Sequence, residues 1–198
     1  MARIIAGALK GMTLTVPRHI RPTEGQVRHA LLNIVQPLIE GARVIDGFAG
    51  SGALGLEALS RGAGCVVFLE SHPDCVQAIH DNLRRASDRA PLGQGEVCRG
   101  DAVRSLRALA RRRAPFDLIV FDPPYQSDDG KKALNVVADC AMLSPTGIIC
   151  LEHARHREAP PAVGPLELMK QHRYGETVLS FYRPTPSREH ARGLSRDV

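Results

Sequence analysis

Apolar residues recur along this chain in two periods, and the switches between them mark its elements. Met12-Thr13-Leu14-Thr15-Val16 alternates strictly and follows Arg3-Ile4-Ile5-Ala6-Gly7 across a turn flanked by glycines, which predicts a β-hairpin. Thr23 then opens a helix, with Gln26 three residues on completing a capping box. Val27, Ala30, Leu31, Ile34, Val35 and Leu38 form one apolar stripe at helical spacing, broken near Pro37, while Arg28 and His29 fall off it, toward solvent or a ligand. From Ala42 onward strand and helix patterns alternate. Strands are predicted at 43–47, 65–70, 95–99, 116–121, 147–152 and 177–183, with a weaker one at 166–170, and helices at 52–61, 73–86, 102–112 and 131–142. Pro73 suits the first residue of its helix and Gly62 the stop of another. Alternation of this kind, with near-continuous apolar strands, implies an α/β fold: a mostly parallel sheet covered on both faces. The end departs from it, because 166–183 reads as two strands joined through Tyr174-Gly175-Glu176, an antiparallel hairpin at the sheet edge. The expected organisation is an N-terminal hairpin-and-helix extension (1–40), a main domain (41–183) and a polar tail (184–198) that reads as disordered.

Composition narrows the class without naming an activity. With 198 residues and 43% apolar content the chain can bury a full core as one domain with small appendages. No apolar run approaches the roughly 20 residues of a membrane span, and the N-terminus lacks the apolar core of a signal peptide, so a cytoplasmic location is expected. Five scattered cysteines with no paired spacing read as reduced core residues, and no His/Cys cluster offers a metal site. The formal charge of +5 permits a polyanionic partner, although such an excess is common in proteins that bind none. Residues 1–40 set Arg3, Lys10, Arg18, Arg21 and Arg28 against only Glu24 and Glu40.

Two stretches carry candidate chemistry. Phe121-Asp122-Pro123-Pro124-Tyr125 follows Leu118-Ile119-Val120, a buried strand ending in a rigid turn. Two prolines in series fix two φ angles and remove two donors, so the carbonyls of Asp122, Pro123 and Pro124 are expected to point outward as acceptors. An exocyclic amino group on a flat ring needs such acceptors, together with an aromatic face such as Tyr125. The second stretch, Val44-Ile45-Asp46-Gly47-Phe48-Ala49-Gly50-Ser51-Gly52-Ala53-Leu54-Gly55, is a strand, a glycine turn and a helix start. Glu70, 20 residues after Gly50, stands where an acid accepts from a ribose diol. Asp46 argues against a pyrophosphate at the turn, since like charges repel in a partly dry site, and favours a cationic ligand such as S-adenosylmethionine. Asp101, after the next strand, could accept from an adenine amino group or cap its own helix. Four successive strand ends thus each supply an acid: Asp46, Glu70, Asp101 and Asp122.

These residues together resemble class I S-adenosylmethionine-dependent methyltransferases. With the N-terminal segment they resemble one branch, the bacterial 16S rRNA guanine-N2 methyltransferases of the RsmD type. The marks are Arg3-Ile4-Ile5-Ala6-Gly7, Arg21-Pro22-Thr23 followed by Val27-Arg28 and Leu32-Asn33-Ile34, the turn Gly50 to Glu57, Glu70, and Asp122-Pro123-Pro124-Tyr125. The likeness covers residues 3–183; His29, Leu32 and Gly47 stand where the family usually has Glu, Phe and Leu. It implies a Rossmann-like fold with a seven-stranded sheet and one antiparallel strand, and a methyl donor held by Asp46, Phe48, Gly50, Ser51, Gly52, Glu70, Asp101 and Ala102. It implies that Asp122, Pro123, Pro124 and Tyr125 hold the target base, and that the partner is 16S rRNA, free or in a small-subunit or assembly particle. Lys10, Arg18, Arg21 and Arg28 are the expected phosphate contacts. No metal and no membrane are expected, and a monomer is the favoured state. Guanine rather than adenine rests on the resemblance alone. The alternatives are an N6-adenine methyltransferase of RNA or DNA and a small NAD(P)-dependent oxidoreductase, the latter disfavoured by Asp46 and the Asp-Pro-Pro-Tyr turn.

Overall fold

The computed structural model describes residues 2–18, 25–112 and 114–185. Arg21, the capping box at Thr23 and the tail beyond 185 lie outside the described residues. After helix α1 (Gly25–Ile34) and a 3-10 turn at Gln36–Leu38, strands and helices alternate as β1 (Arg43–Gly47), α2 (Ala53–Ser60), β2 (Cys65–Glu70), α3 (Pro73–Ser87), β3 (Gln94–Arg99), α4 (Ala102–Ala110), β4 (Phe116–Phe121), α5 (Asp129–Asp139) and β5 (Leu143–Ala154). The last strands are β6 (Ala162–Val163), β7 (Leu166–Tyr174) and β8 (Thr177–Pro184). The strands form one sheet in the order β3-β2-β1-β4-β5-β8-β7-β6. The first five run parallel, and β8 enters antiparallel between β5 and β7.

Three expectations are corrected here. The sheet has eight strands rather than seven, because the two-residue β6 adds to the edge of β7. Strand β5 begins at Leu143 and β7 runs to Tyr174, both longer than their apolar runs, since ladder pairing with neighbouring strands continues where side chains turn polar. The N-terminal hairpin is reduced to a single bridge between Arg3 and Thr13, with Ile4 N donating to Met12 O and Leu14 N to Ala2 O at 2.9 Å. Its outer backbone groups go to side chains of the helices instead of to a longer ladder. Glu57 accepts from the N–H groups of Ile5 and Ala6, Ser60 Oγ from Leu9 N, and Asn82 Oδ1 from Thr15 N. Gly7, at φ +78°, passes so close to Ser60 that a Cβ there would collide with the Ser60 carbonyl.

Helices cover both faces. One core cluster joins Ile4, Leu31, Leu56, Phe68 and Val120, so the N-terminal segment shares a core with the sheet; the other joins Ile45, Leu69, Leu106, Phe121 and Leu134. Of the cysteines, Cys75 and Cys150 are buried, but Cys140 is exposed and not a core residue. Among the described residues no helix is long and apolar enough to cross a membrane.

Candidate active site

The parallel strands end along one rim, and the acids predicted there are at the strand ends. Asp46 is buried on β1, and its Oδ2 accepts from Gly55 N at 2.8 Å, tying the strand to the first turn of α2. Burial raises its pKa to about 7, and the charges of Asp122 and Glu70 push in the same direction, against the Gly55 N–H and Arg28. Asp122 and Glu70 therefore each stand within electrostatic reach of Asp46.

The glycine turn is held open by unusual backbone. Phe48, a non-glycine at φ +64°, precedes Gly50 at +55° and Gly52 at +75°. The Phe48 ring packs edge-on against Phe121 at 6.1 Å between centroids. Glu70 braces the turn: one oxygen accepts from Gly50 N at 2.7 Å, the other from Ser71 N and His72 N at 2.7 Å. Ser51 is buried, and its carbonyl accepts from Asn82 Nδ2 at 3.2 Å. Asp101 takes the capping alternative, accepting on Oδ1 from Arg104 N at 2.9 Å; the buried Ala102 follows as the first residue of α4.

The proline turn differs from expectation at one acceptor. Asp122 N donates to Gly47 O at 3.3 Å, joining the two candidate turns. The Pro124 carbonyl is not an outward acceptor, because the turn closes on it: it accepts from Ser127 N at 2.9 Å and Ser127 Oγ at 3.1 Å. Tyr125 is 40% exposed and fixed at its far end, its hydroxyl donating to Glu152 Oε1 and sharing a hydrogen bond with Thr177 Oγ1, both at 2.9 Å. Burial, with the Glu152 and Asp122 charges adding to it, pushes its pKa to about 12, so the ring is a neutral phenol.

Sequence reasoning missed several supports. Buried Glu152 follows the apolar run Ile148-Ile149-Cys150-Leu151, and that lone acid in a core strand was the readable signal. Asn82 carried no such signal, because only tertiary packing brings it to both Ser51 and Thr15. Arg157 straps the segment after the proline turn, donating to Gln126 O and Ser127 O at 2.9 Å and to Asp128 Oδ1 at 3.1 Å.

The predicted basic contacts separate. Lys10 and Arg18 are exposed. Arg28 is corrected: it is 4% exposed, donates from Nη2 to Arg3 O at 3.0 Å, and has a buried Nε without a partner among the described residues. Desolvation lowers its pKa, against Glu57 and Asp46. It forms part of the interior behind the cleft, not of a solvated face. Arg112, just beyond α4, makes a two-pronged pair with Glu96 on β3, both contacts at 2.7 Å. Among the described residues no group of three or more His, Cys, Asp or Glu is arranged to hold a metal ion.

Comparison with known proteins places this geometry. The family described as "Conserved hypothetical protein 95" matches residues 2–183. The Escherichia coli (strain K12) protein named ribosomal RNA small subunit methyltransferase D is 32% identical over 183 residues, covering 91% of this chain and 89% of that one. The structure of a hypothetical protein from Thermus thermophilus superposes with a TM-score of 0.79 at 28% identity, covering 92% of this chain and 99% of the other. A T. thermophilus 16S rRNA N2 G1207 methyltransferase in complex with AdoMet and guanosine superposes with a TM-score of 0.69, covering 92% of this chain and 49% of that one. At 24% identity that last likeness carries the fold alone.

Proposed function

This chain belongs to the conserved hypothetical protein 95 family, and on that premise we propose that it methylates the exocyclic N2 amino group of a guanine in small-subunit ribosomal RNA, with S-adenosylmethionine as donor. The activity class and the donor follow from relatives that span nearly the whole chain. The observation that carries the reading is the cleft at the joined ends of β1 and β4. There Asp122 and Glu70 each stand within electrostatic reach of Asp46, beside a rigid turn that offers acceptors and an aromatic ring.

The residues fit a cationic donor. A carboxylate whose pKa is raised to about 7 by burial and by other acids gains most from a positive ligand. The glycine turn brings backbone rather than side chains to the rim, and Glu70, at the end of β2, is placed to accept from a ribose diol once its bond to Gly50 is shared. The donor supplies an electrophilic methyl group; everything else is orientation, which can lower a barrier by several kcal/mol, up to roughly 7–11 in favourable cases.

The guanine amino nitrogen is a weak nucleophile, because its lone pair is delocalised into the ring. Asp122 and the Pro123 carbonyl accept hydrogen bonds from its two N–H groups, favour a pyramidal nitrogen and localise that pair. The Pro124 carbonyl is already engaged by Ser127. Tyr125, held at its hydroxyl by Glu152 and Thr177, presents its ring for stacking on a base splayed from the RNA, worth about 1–3 kcal/mol.

Substituting Asp122→Ala tests the turn. The variant is expected to bind S-adenosylmethionine within a few-fold of the parent by calorimetry while its single-turnover methyl transfer to rRNA falls by at least about 100-fold. Near-parental transfer in that variant removes Asp122 from the mechanism.

A further inference from the structure

Helix α4 carries its arginines on one side. Arg104, Arg107 and Arg111 fall within about 60° of one another around the helix axis, opposite the face on which Ala102, Leu106 and Leu109 are buried. All three are exposed, and none makes a side-chain hydrogen bond or ion pair among the described residues. Arg61, Arg84, Arg112 and Arg157, by contrast, each sit on a carboxylate. Residues 102–116 contain no Asp or Glu, and the acid that opens the helix, Asp101, is engaged with Arg104 N. The stripe starts at the rim that carries the candidate site and descends the flank for roughly 10 Å. Helix α4 packs against α5, whose exposed Lys131 lines a pocket with Pro124 and Tyr125.

We propose that this arginine stripe is a second RNA-docking surface, holding phosphates of the strand that flanks the target nucleotide; the inference rests on the reading of the site as an rRNA methyltransferase. An uncompensated row of guanidiniums suits phosphates, which each accept two parallel N–H bonds, better than it suits a protein partner, which would have to bring matching carboxylates. It also places contacts on the side of the site opposite the N-terminal segment, where Lys10 and Arg18 lie. RNA bound at both flanks is pinned on either side of the base presented to Asp122, so the base can leave its stack without the strand leaving the protein.

The test uses the full chain with small-subunit ribosomal particles and with naked small-subunit rRNA, both from cells lacking this protein, and with tritiated S-adenosylmethionine. The variant is Arg104→Gln/Arg107→Gln/Arg111→Gln. Its control is Arg84→Gln/Arg89→Gln/Arg173→Gln, which removes the same charge elsewhere. The stripe variant is expected to raise KM for RNA at least tenfold, with kcat at saturating RNA and affinity for S-adenosylmethionine unchanged. The slope of log affinity against log salt should flatten by roughly 2–3, given about 0.7–0.9 per phosphate contact. The Arg104→Lys/Arg107→Lys/Arg111→Lys variant keeps the charge without the paired N–H bonds and should recover part of the loss, which a folding defect would not allow. Parental KM and salt slope in the stripe variant, or an equal loss in the control, overturn the docking surface. A parental protein that methylates neither RNA substrate fails the functional reading itself, so the two failures are distinguishable. Weakened binding to particles but not to naked rRNA would assign the stripe to ribosomal protein and overturn the RNA proposal.

Discussion

Asp46 concentrates the physics of the site in one proton. Its pKa is raised from the ordinary carboxylate range to about 7, so between about pH 4 and 7 the folded protein holds a proton that the unfolded chain has released. Its contribution to stability is therefore full in acid and lost as pH rises through about 7. A cation in the cleft favours the ionised form, so donor binding must expel that proton. Affinity for S-adenosylmethionine is expected to rise from about pH 5.5 to about 7.5, with proton release visible by calorimetry in buffers of different ionisation enthalpy. Asp46→Asn should abolish the pH dependence, weaken the donor by about tenfold or more (about 1.4 kcal/mol), and raise Tm at about pH 8. A flat pH profile in the parent would detach Asp46 from the positive end of the donor.

At the scale of elements, one side chain links the N-terminal segment to the glycine turn. Asn82, fully buried on α3, accepts on Oδ1 from Thr15 N and donates from Nδ2 to the carbonyls of Thr15 and Ser51, at 2.8, 3.0 and 3.2 Å. Asn82→Ala strands these groups away from water, at a cost of about 1–3 kcal/mol each where no water replaces the amide. A Tm lower by several degrees, with S-adenosylmethionine bound more weakly, is the expected result in thermal melts with and without the donor. An unchanged melt would mean that the two segments are held independently. The same contacts explain what could be read in advance. Strands β1, β2 and β4 were legible because burial on both faces makes them continuous apolar runs, and Asp46, Glu70 and Asp122 because each interrupts such a run at its end. The long β5 and β7, the capping use of Asp101 and the closed Pro124 carbonyl were not, since each depends on a partner brought close only by the fold. Arg28 shows the opposite error: one polar residue off an apolar stripe implied solvent or a ligand, yet it is buried and its Nη2 donates to Arg3 O of the N-terminal segment.

For the whole molecule, the topology explains why these turns meet. With the order β3-β2-β1-β4-β5, the chain moves outward from β1 on one side and then crosses to β4 on the other, which opens a crevice at the carboxyl ends of β1 and β4. The glycine turn leaves β1 and the proline turn leaves β4, so donor and acceptor chemistry face each other across that switch point. The hairpin of β7 and β8 adds Thr177, which joins Glu152 in fixing Tyr125. The most direct test of the account is to incubate the protein with tritiated S-adenosylmethionine and small-subunit rRNA from cells lacking it, then digest to nucleosides and separate them. Label eluting as N2-methylguanosine, and absent with Asp122→Ala, is the predicted result; label in N6-methyladenosine, or in no nucleoside at all, would contradict it.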